Sequence, residues 1–126
     1  MKNPKEHIVV NKTGGLKGSK IARFDLIPCK PLWELAEHYG KVLRKYPQRN
    51  WEKGFDWSLS YAAAQRHLNA FWNGEDYDTK DHRSKHVIAA AWHCFALAEW
   101  METHPELDDR PKKEKRRERQ KRNRVA

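Results

Sequence analysis

The chain is short of cysteine, short of strand pattern and without a long apolar run, and each shortage removes a class of protein. Its two cysteines, Cys29 and Cys94, stand alone with no C-x-x-C spacing. That leaves no disulfide framework and no thiolate metal site, and makes buried, reduced thiols the expectation. No apolar stretch approaches the ~18 residues of a membrane span, and the N-terminus lacks the charged-then-apolar order of a secretory signal. A soluble, cytoplasmic protein with no membrane partner follows. There is no Walker A loop, no G-x-G-x-x-G turn, no arguable Ser/His/Asp arrangement and no internal repeat.

Positive charge is what the chain has in excess. Its 26 Lys/Arg and 17 Asp/Glu give a net +9. From Arg110 to Ala126 there are ten basic residues and two acidic ones, a net of +8, so the remainder holds 16 and 15 and is nearly neutral at +1. The basic character belongs to a tail. Lys112, Lys113, Lys115, Arg116, Arg117, Arg119, Lys121, Arg122 and Arg124 are suited to neutralising nucleic-acid phosphates without reading sequence. Binding nucleic acid through this tail is one functional reading; the neutral body argues against a sequence-reading DNA face.

A chain of 126 residues has room for one domain and one core. Residues 1–19 are polar, and Gly14, Gly15 and Gly18 argue for a flexible or ligand-hugging loop. The stretch KIARFDLIP is extended in character. Residues 20–105 read as a helical domain and 106–126 as the charged tail. Helix one is expected from Pro31 to Lys45, with Leu32, Leu35, Ala36, Tyr39, Val42, Leu43 and Tyr46 in one apolar stripe. Helix two follows Asp56, a suitable cap, and reaches Trp72, its stripe being Tyr61, Ala64, Leu68, Phe71 and Trp72. Helix three runs from Ser84 to Thr103, capped by Ser84 or Asp81; it is apolar nearly all round and therefore central. The fold class is all-α, a small bundle of three main helices whose thin core a homodimer would complete.

Several polar groups exceed what a plain bundle needs. Glu34 and Glu37 sit one helical turn apart, spaced to hold a Mg²⁺ or to form a solvated face. Glu75, Asp76 and Asp78 crowd one helix exit, where a cation or water must relieve their repulsion. Arg66 and His67 are adjacent and so point about 100° apart; one serves the site and the other packs or pairs. Arg49, Asn50, Trp51 and Glu52 put a guanidinium, an amide and an indole in one turn, able to read a nucleobase or to plug the core with Trp51. His86 is placed near the acidic cluster for proton transfer, and His93, on the same face seven residues on, reads as a satisfied core histidine. His82, His86 and His93 alone do not converge as a zinc site. Lys17, Lys20 and Arg23 are available to a polyphosphate.

Taken together, ARFDLIP, ELAEHYGKVLRKY, RNWEKG, RHLNAFWNGEDYD and HVIAAAWHCFALAE resemble one family, the phage and bacterial dATP/dGTP diphosphohydrolase N-terminal domains, similar in style to MazG-like all-α pyrophosphohydrolases. The resemblance runs from Gly14 to Glu99. It implies Mg²⁺-dependent hydrolysis of a purine deoxynucleoside triphosphate to monophosphate and pyrophosphate. It also implies metal ligands at Glu34, Glu37, Glu75 and Asp78. The residues' own chemistry suits that reaction, with Glu37 or a carboxylate of GEDYD as the catalytic base, His86 for proton transfer, and Lys20, Arg23, Arg49, Asn50, Trp51, Arg66 and His67 for substrate contacts. The chain departs from the pattern at Ala89, where a second histidine is expected, and at His93, where an asparagine is expected.

Overall fold

The structure is a computed structural model that describes residues 6–112 and 120–124. Two compact units divide the chain, Met1–Leu32 and Trp33–Ala126. The first contains the expected loop, and it is not a loop. The β-branched run Ile8-Val9-Val10 forms a strand, β1 (His7–Val10), that pairs antiparallel with β2 (Leu16–Ser19) in the register Val10↔Leu16 to His7↔Ser19. Gly14 closes the turn at φ +82°, a conformation that costs glycine nothing, and its amide donates to the Asn11 carbonyl at 2.9 Å. The glycines therefore make a hairpin turn. Phe24–Leu26, expected to be extended, is a 3-10 turn.

Three helices follow: α1 (Cys29–Lys41), α2 (Trp57–Trp72) and α3 (His86–Thr103). The helical character of the bundle stands as expected. α1 starts two residues before Pro31, which occupies its first turn, and gives way to a 3-10 turn at Val42–Arg44 rather than running to Lys45. α3 is the central helix, with Ile88, Ala89, Ala90, Trp92, Ala96 and Trp100 all buried. Within the second unit Leu35, Ile88 and Trp92 form one core cluster, and Trp57, Ala96 and Trp100 form another. Trp51 packs on both, and its carbonyl accepts the Trp100 indole N–H at 3.0 Å. Trp51 is half-buried: it packs on the core as the plug reading expects, and it also lines an aromatic cleft. Both cysteines are free but exposed, not buried, because neither Cys29 nor Cys94 lies on a packed helix face.

The main packing is α2 against α3, and of the stripe the sequence pattern selects only Ala64 is buried. Tyr61, Leu68, Phe71 and Trp72 are exposed, Trp72 at 87%. The inner face of α2 carries Trp57, Ser60, Ala64 and the half-buried His67 instead. The caps differ as well. Asp56 occupies the N-cap position of α2 without a side-chain bond; the Asp109 carboxylate supplies it, accepting the Ser58 amide at 2.9 Å and the Ser58 hydroxyl. A 3-10 turn at Pro105–Leu107 brings this segment back, with Leu107 against the second core cluster and the Arg110 guanidinium 4.9 Å over the Trp57 ring. Gly54, at φ +75°, lets that turn close in: an added Cβ would lie 2.7 Å from Leu107 Cδ1. The packed body thus extends to Arg110. Lys85, not Ser84 or Asp81, is the N-cap residue of α3, because the Ser84 hydroxyl is engaged elsewhere. Among the described residues no helix is long and apolar enough to cross a membrane.

Candidate active site

The site is assembled by the connection between α2 and α3. Gly74, at φ +97°, ends α2, and the chain then folds on itself through an antiparallel bridge between Tyr77 and Lys85. The Asp78 amide donates to the Ser84 carbonyl at 2.8 Å, and the His86 amide donates to the Asp76 carbonyl at 3.0 Å. These bonds fix Asp78 beside the first turn of α3. One Asp78 oxygen then accepts the amides of Lys80 and Asp81 at 3.2 and 3.3 Å, which sets the orientation of the carboxylate.

α2 and α3 run antiparallel, so residues seven apart on one helix meet residues seven apart on the other. Ser60 and His67 of α2 accordingly face His93 and His86 of α3. His67 Nδ1 and His86 Nδ1 lie 2.9 Å apart, and His93 Nδ1 lies 2.7 Å from Ser60 Oγ. The His67 and His93 rings stack at 6.1 Å between centroids. His86 is buried, and its Nε2 is 3.4 Å from a Glu75 carboxylate oxygen. Among the described residues one group of potential metal ligands converges, His67, Asp78 and His86, with one donor atom from each within 4.8 Å of the others.

Burial sets the protonation of this region. It lowers His93 to about 4, with His67 and His38 adding to the effect, and it lowers His67 although Asp78 opposes it. Neutral imidazoles keep lone pairs free for a proton or a cation. A second buried histidine, His38 of α1, is likewise pushed down to about 4 by burial and by His82; its Nδ1 is 2.7 Å from Ser84 Oγ. Lys41 Nζ reaches the same hydroxyl at 3.4 Å.

A cleft of about 790 Å³ adjoins the cluster, lined among others by Tyr39, Tyr46, Arg49, Asn50, Trp92 and His93. His93 lines the cleft and its ring stacks on that of His67, so the cleft lies beside the histidine–carboxylate group with one imidazole between them. The cleft has the volume and the apolar walls of a small-molecule site.

The structure separates several residues that the sequence groups. Glu34 forms an ion pair with Lys85 at 3.1 Å, and Glu37 is exposed and makes no hydrogen bond or ion pair with the described residues. Neither joins the convergent group; of the expected ligands only Asp78 does, and Glu75 stands behind His86. An all-carboxylate Mg²⁺ site is therefore not what the single chain gathers. His67 lies in the site while its neighbour Arg66 is exposed. Arg49, with φ +60°, pairs with Glu52 at the cleft rim. In the first unit Lys20 is exposed, and Arg23 makes a two-bond pair with Asp25 at 2.8 Å. Of the tail residues, Lys112, Lys121, Arg122 and Arg124 are exposed, whereas Lys113, Lys115, Arg116, Arg117 and Arg119 lie outside the described residues. Ala89 is 1% exposed and leaves no room for an imidazole at that turn.

A family model described as dATP/dGTP diphosphohydrolase, N-terminal, matches residues 11–110. The chain belongs to that family. No curated protein and no solved structure matches it. The matched residues of this dATP/dGTP diphosphohydrolase N-terminal domain begin after β1 and end at Arg110, where the packed body ends, and they include the cleft and the whole histidine–carboxylate group. What the sequence reading missed is that His67 and His86 share one centre and that Ser60 and His93 form the next rung. The signal was the matched seven-residue spacing on two antiparallel helices, visible only once their register is known.

Proposed function

We propose that this chain hydrolyses purine deoxynucleoside triphosphates, dATP and dGTP, to the monophosphate and pyrophosphate. One observation carries the reading: an aromatic cleft of nucleoside size is lined by His93, whose ring stacks on His67 of the histidine–carboxylate group. The family description supports the same chemistry. In this reading the purine lies among Tyr39, Tyr46 and Trp92, with Asn50 at its edge and Arg49 at the rim. The triphosphate extends past His93 toward His67, Asp78 and His86, and it arrives as its Mg²⁺ chelate. A water oxygen attacks the α-phosphorus, the bond to the bridging oxygen breaks, and pyrophosphate leaves. Glu75, solvent-open and beside His86, is placed to take the water's proton. Arg66, exposed one residue from His67, is suited to the outer phosphates.

The substrate pool would be that of the cytoplasm, in phage-type nucleotide metabolism, and a homo-oligomer would cover the outward apolar face of α2. The tail of net +8 adds salt-dependent retention on nucleic acid, which deletion beyond Arg110 removes. The test is pyrophosphate release from each deoxynucleoside triphosphate in the presence of Mg²⁺ and Mn²⁺. The purine substrates are cleaved, and Asp78→Asn lowers kcat by about 100-fold or more, the scale of a lost preorganised charge. A folded chain that releases no pyrophosphate from dATP or dGTP sinks the proposal.

A further inference from the structure

The carboxylates expected to hold Mg²⁺ are dispersed, and the donors that do converge are two imidazole nitrogens and one carboxylate oxygen. We infer that His67, Asp78 and His86 form a binding site for one first-row transition-metal dication, an ion that prefers nitrogen, and not for Mg²⁺. The inference concerns the centre used in the diphosphohydrolase reading and rests on that placement.

Donor chemistry is the first argument. Mg²⁺ is a hard ion that takes oxygen ligands and keeps its waters, whereas imidazole suits Zn²⁺, Fe²⁺, Ni²⁺ and their neighbours. Geometry is the second. Ligand nitrogens about 2.1 Å from one ion, at right angles to one another, stand about 3 Å apart; His67 Nδ1 and His86 Nδ1 stand at 2.9 Å.

The surroundings of the ligands are the third argument. Glu75 lies 3.4 Å from His86 Nε2. That favours the tautomer with its proton on Nε2 and turns the Nδ1 lone pair toward His67 and Asp78. A carboxylate behind a histidine is how metal-bound imidazoles are held. Asp78 is held as well, by the amides of Lys80 and Asp81. The three ligands come from α2, the connection and the first residue of α3, so the pairing of the two helices and the Tyr77–Lys85 bridge build the site together. Three protein ligands leave coordination positions for water or a phosphate oxygen, as in catalytic metal sites.

Co²⁺ is the probe, added to the full chain after chelation and dialysis, with uptake followed by calorimetry and visible absorption in the absence of nucleotide. One Co²⁺ binds per chain, about a hundredfold excess of Mg²⁺ does not displace it, and Asp78→Asn and His67→Asn each weaken it at least tenfold. Both are half-buried positions, and circular dichroism checks that the variants remain helical. Glu75→Gln weakens binding by about tenfold, through the orientation of His86. Displacement of Co²⁺ by equimolar Mg²⁺ overturns the inference. So does loss of uptake in Glu34→Gln/Glu37→Gln with uptake retained in the two ligand variants. A chain that binds Co²⁺ here but cleaves no nucleotide keeps the ion site and removes the diphosphohydrolase reading; cleavage with Mg²⁺ alone and no Co²⁺ uptake does the reverse.

Discussion

Along α2 a buried row and an exposed apolar edge lie side by side. The buried row carries Trp57, Ser60, Ala64 and His67, while Tyr61, Leu68 and Trp72 on the adjoining edge, and Phe71 at the end of the row, stay exposed. A helix normally buries its apolar stripe. Here α3 presents His93 and His86 at the spacing of Ser60 and His67, and the small residues Ala64 and Ala89 fall between the two polar rungs along their helices. Ser60, His67, His86 and His93 each find a partner on the other helix, whereas the buried indole N–H groups of Trp57 and Trp92 have none. The buried row is thus shaped by the site, and the edge beside it retains apolar surface that a lone chain leaves in water.

The sharpest way to break this comparison is to remove one tryptophan from each face. Trp57 on the inner face is 6% exposed and packs on Ala96 and Trp100. Trp57→Ala is expected to cost about 3–5 kcal/mol, the range for emptying a buried aromatic site. Urea denaturation measures it as a lower midpoint. A loss under about 1 kcal/mol would mean the inner face is not the load-carrying one.

The buried imidazoles give the next effect. His38 is held neutral by burial, with His82, His67 and Lys41 around it disfavouring its charge and Asp81 alone favouring it. Its folded value of about 4 lies below the ordinary 6.5. The unfolded chain therefore takes up the proton first as pH falls, and stability drops between pH 6.5 and about 4. Below that the folded state is protonated too and the slope ends. The slope is about 1.4 kcal/mol per pH unit for this one group. Denaturant midpoints at pH 7, 6 and 5 read the sum of this slope and that of His93, also lowered to about 4, and His38→Gln removes the His38 share. An equal slope in that variant would assign the effect to other groups.

The bundle was legible because its helices announce themselves: Pro31 in a first turn, Asn73-Gly74 after a last one, and an apolar run in α3 long enough to be central. The hairpin was not, since Gly14 and Gly18 read as disorder until the register places one in the turn and the other opposite Ile8. Nor was the Asp109 cap, because a carboxylate 51 residues from its amide leaves no local trace. In the site, GEDYD and His86 stood out as chemistry. The partner His67 did not join them, because periodicity assigns residues to faces of one helix and says nothing of which faces meet. Glu34 and Glu37 show the opposite error: a spacing ready for a metal, spent on an ion pair with Lys85 and on solvent.

The outer face gives the smallest change in folding stability and the clearest change in assembly. Trp72 is 87% exposed and Leu68 40%. In the single chain Trp72→Ala loses little packing and should shift stability by no more than about 0.5 kcal/mol, as exposed substitutions do. The same ring set against a second copy would be buried, because Tyr61, Leu68 and Phe71 extend its apolar surface along the helix. Leu68→Glu with Trp72→Glu places two like charges on that surface and is expected to leave the fold intact while reducing the sedimenting species from two chains to one. A wild-type chain that already sediments singly at high concentration would show that water, not a second copy, covers this face. The polar row of α2 would then be explained by the site alone.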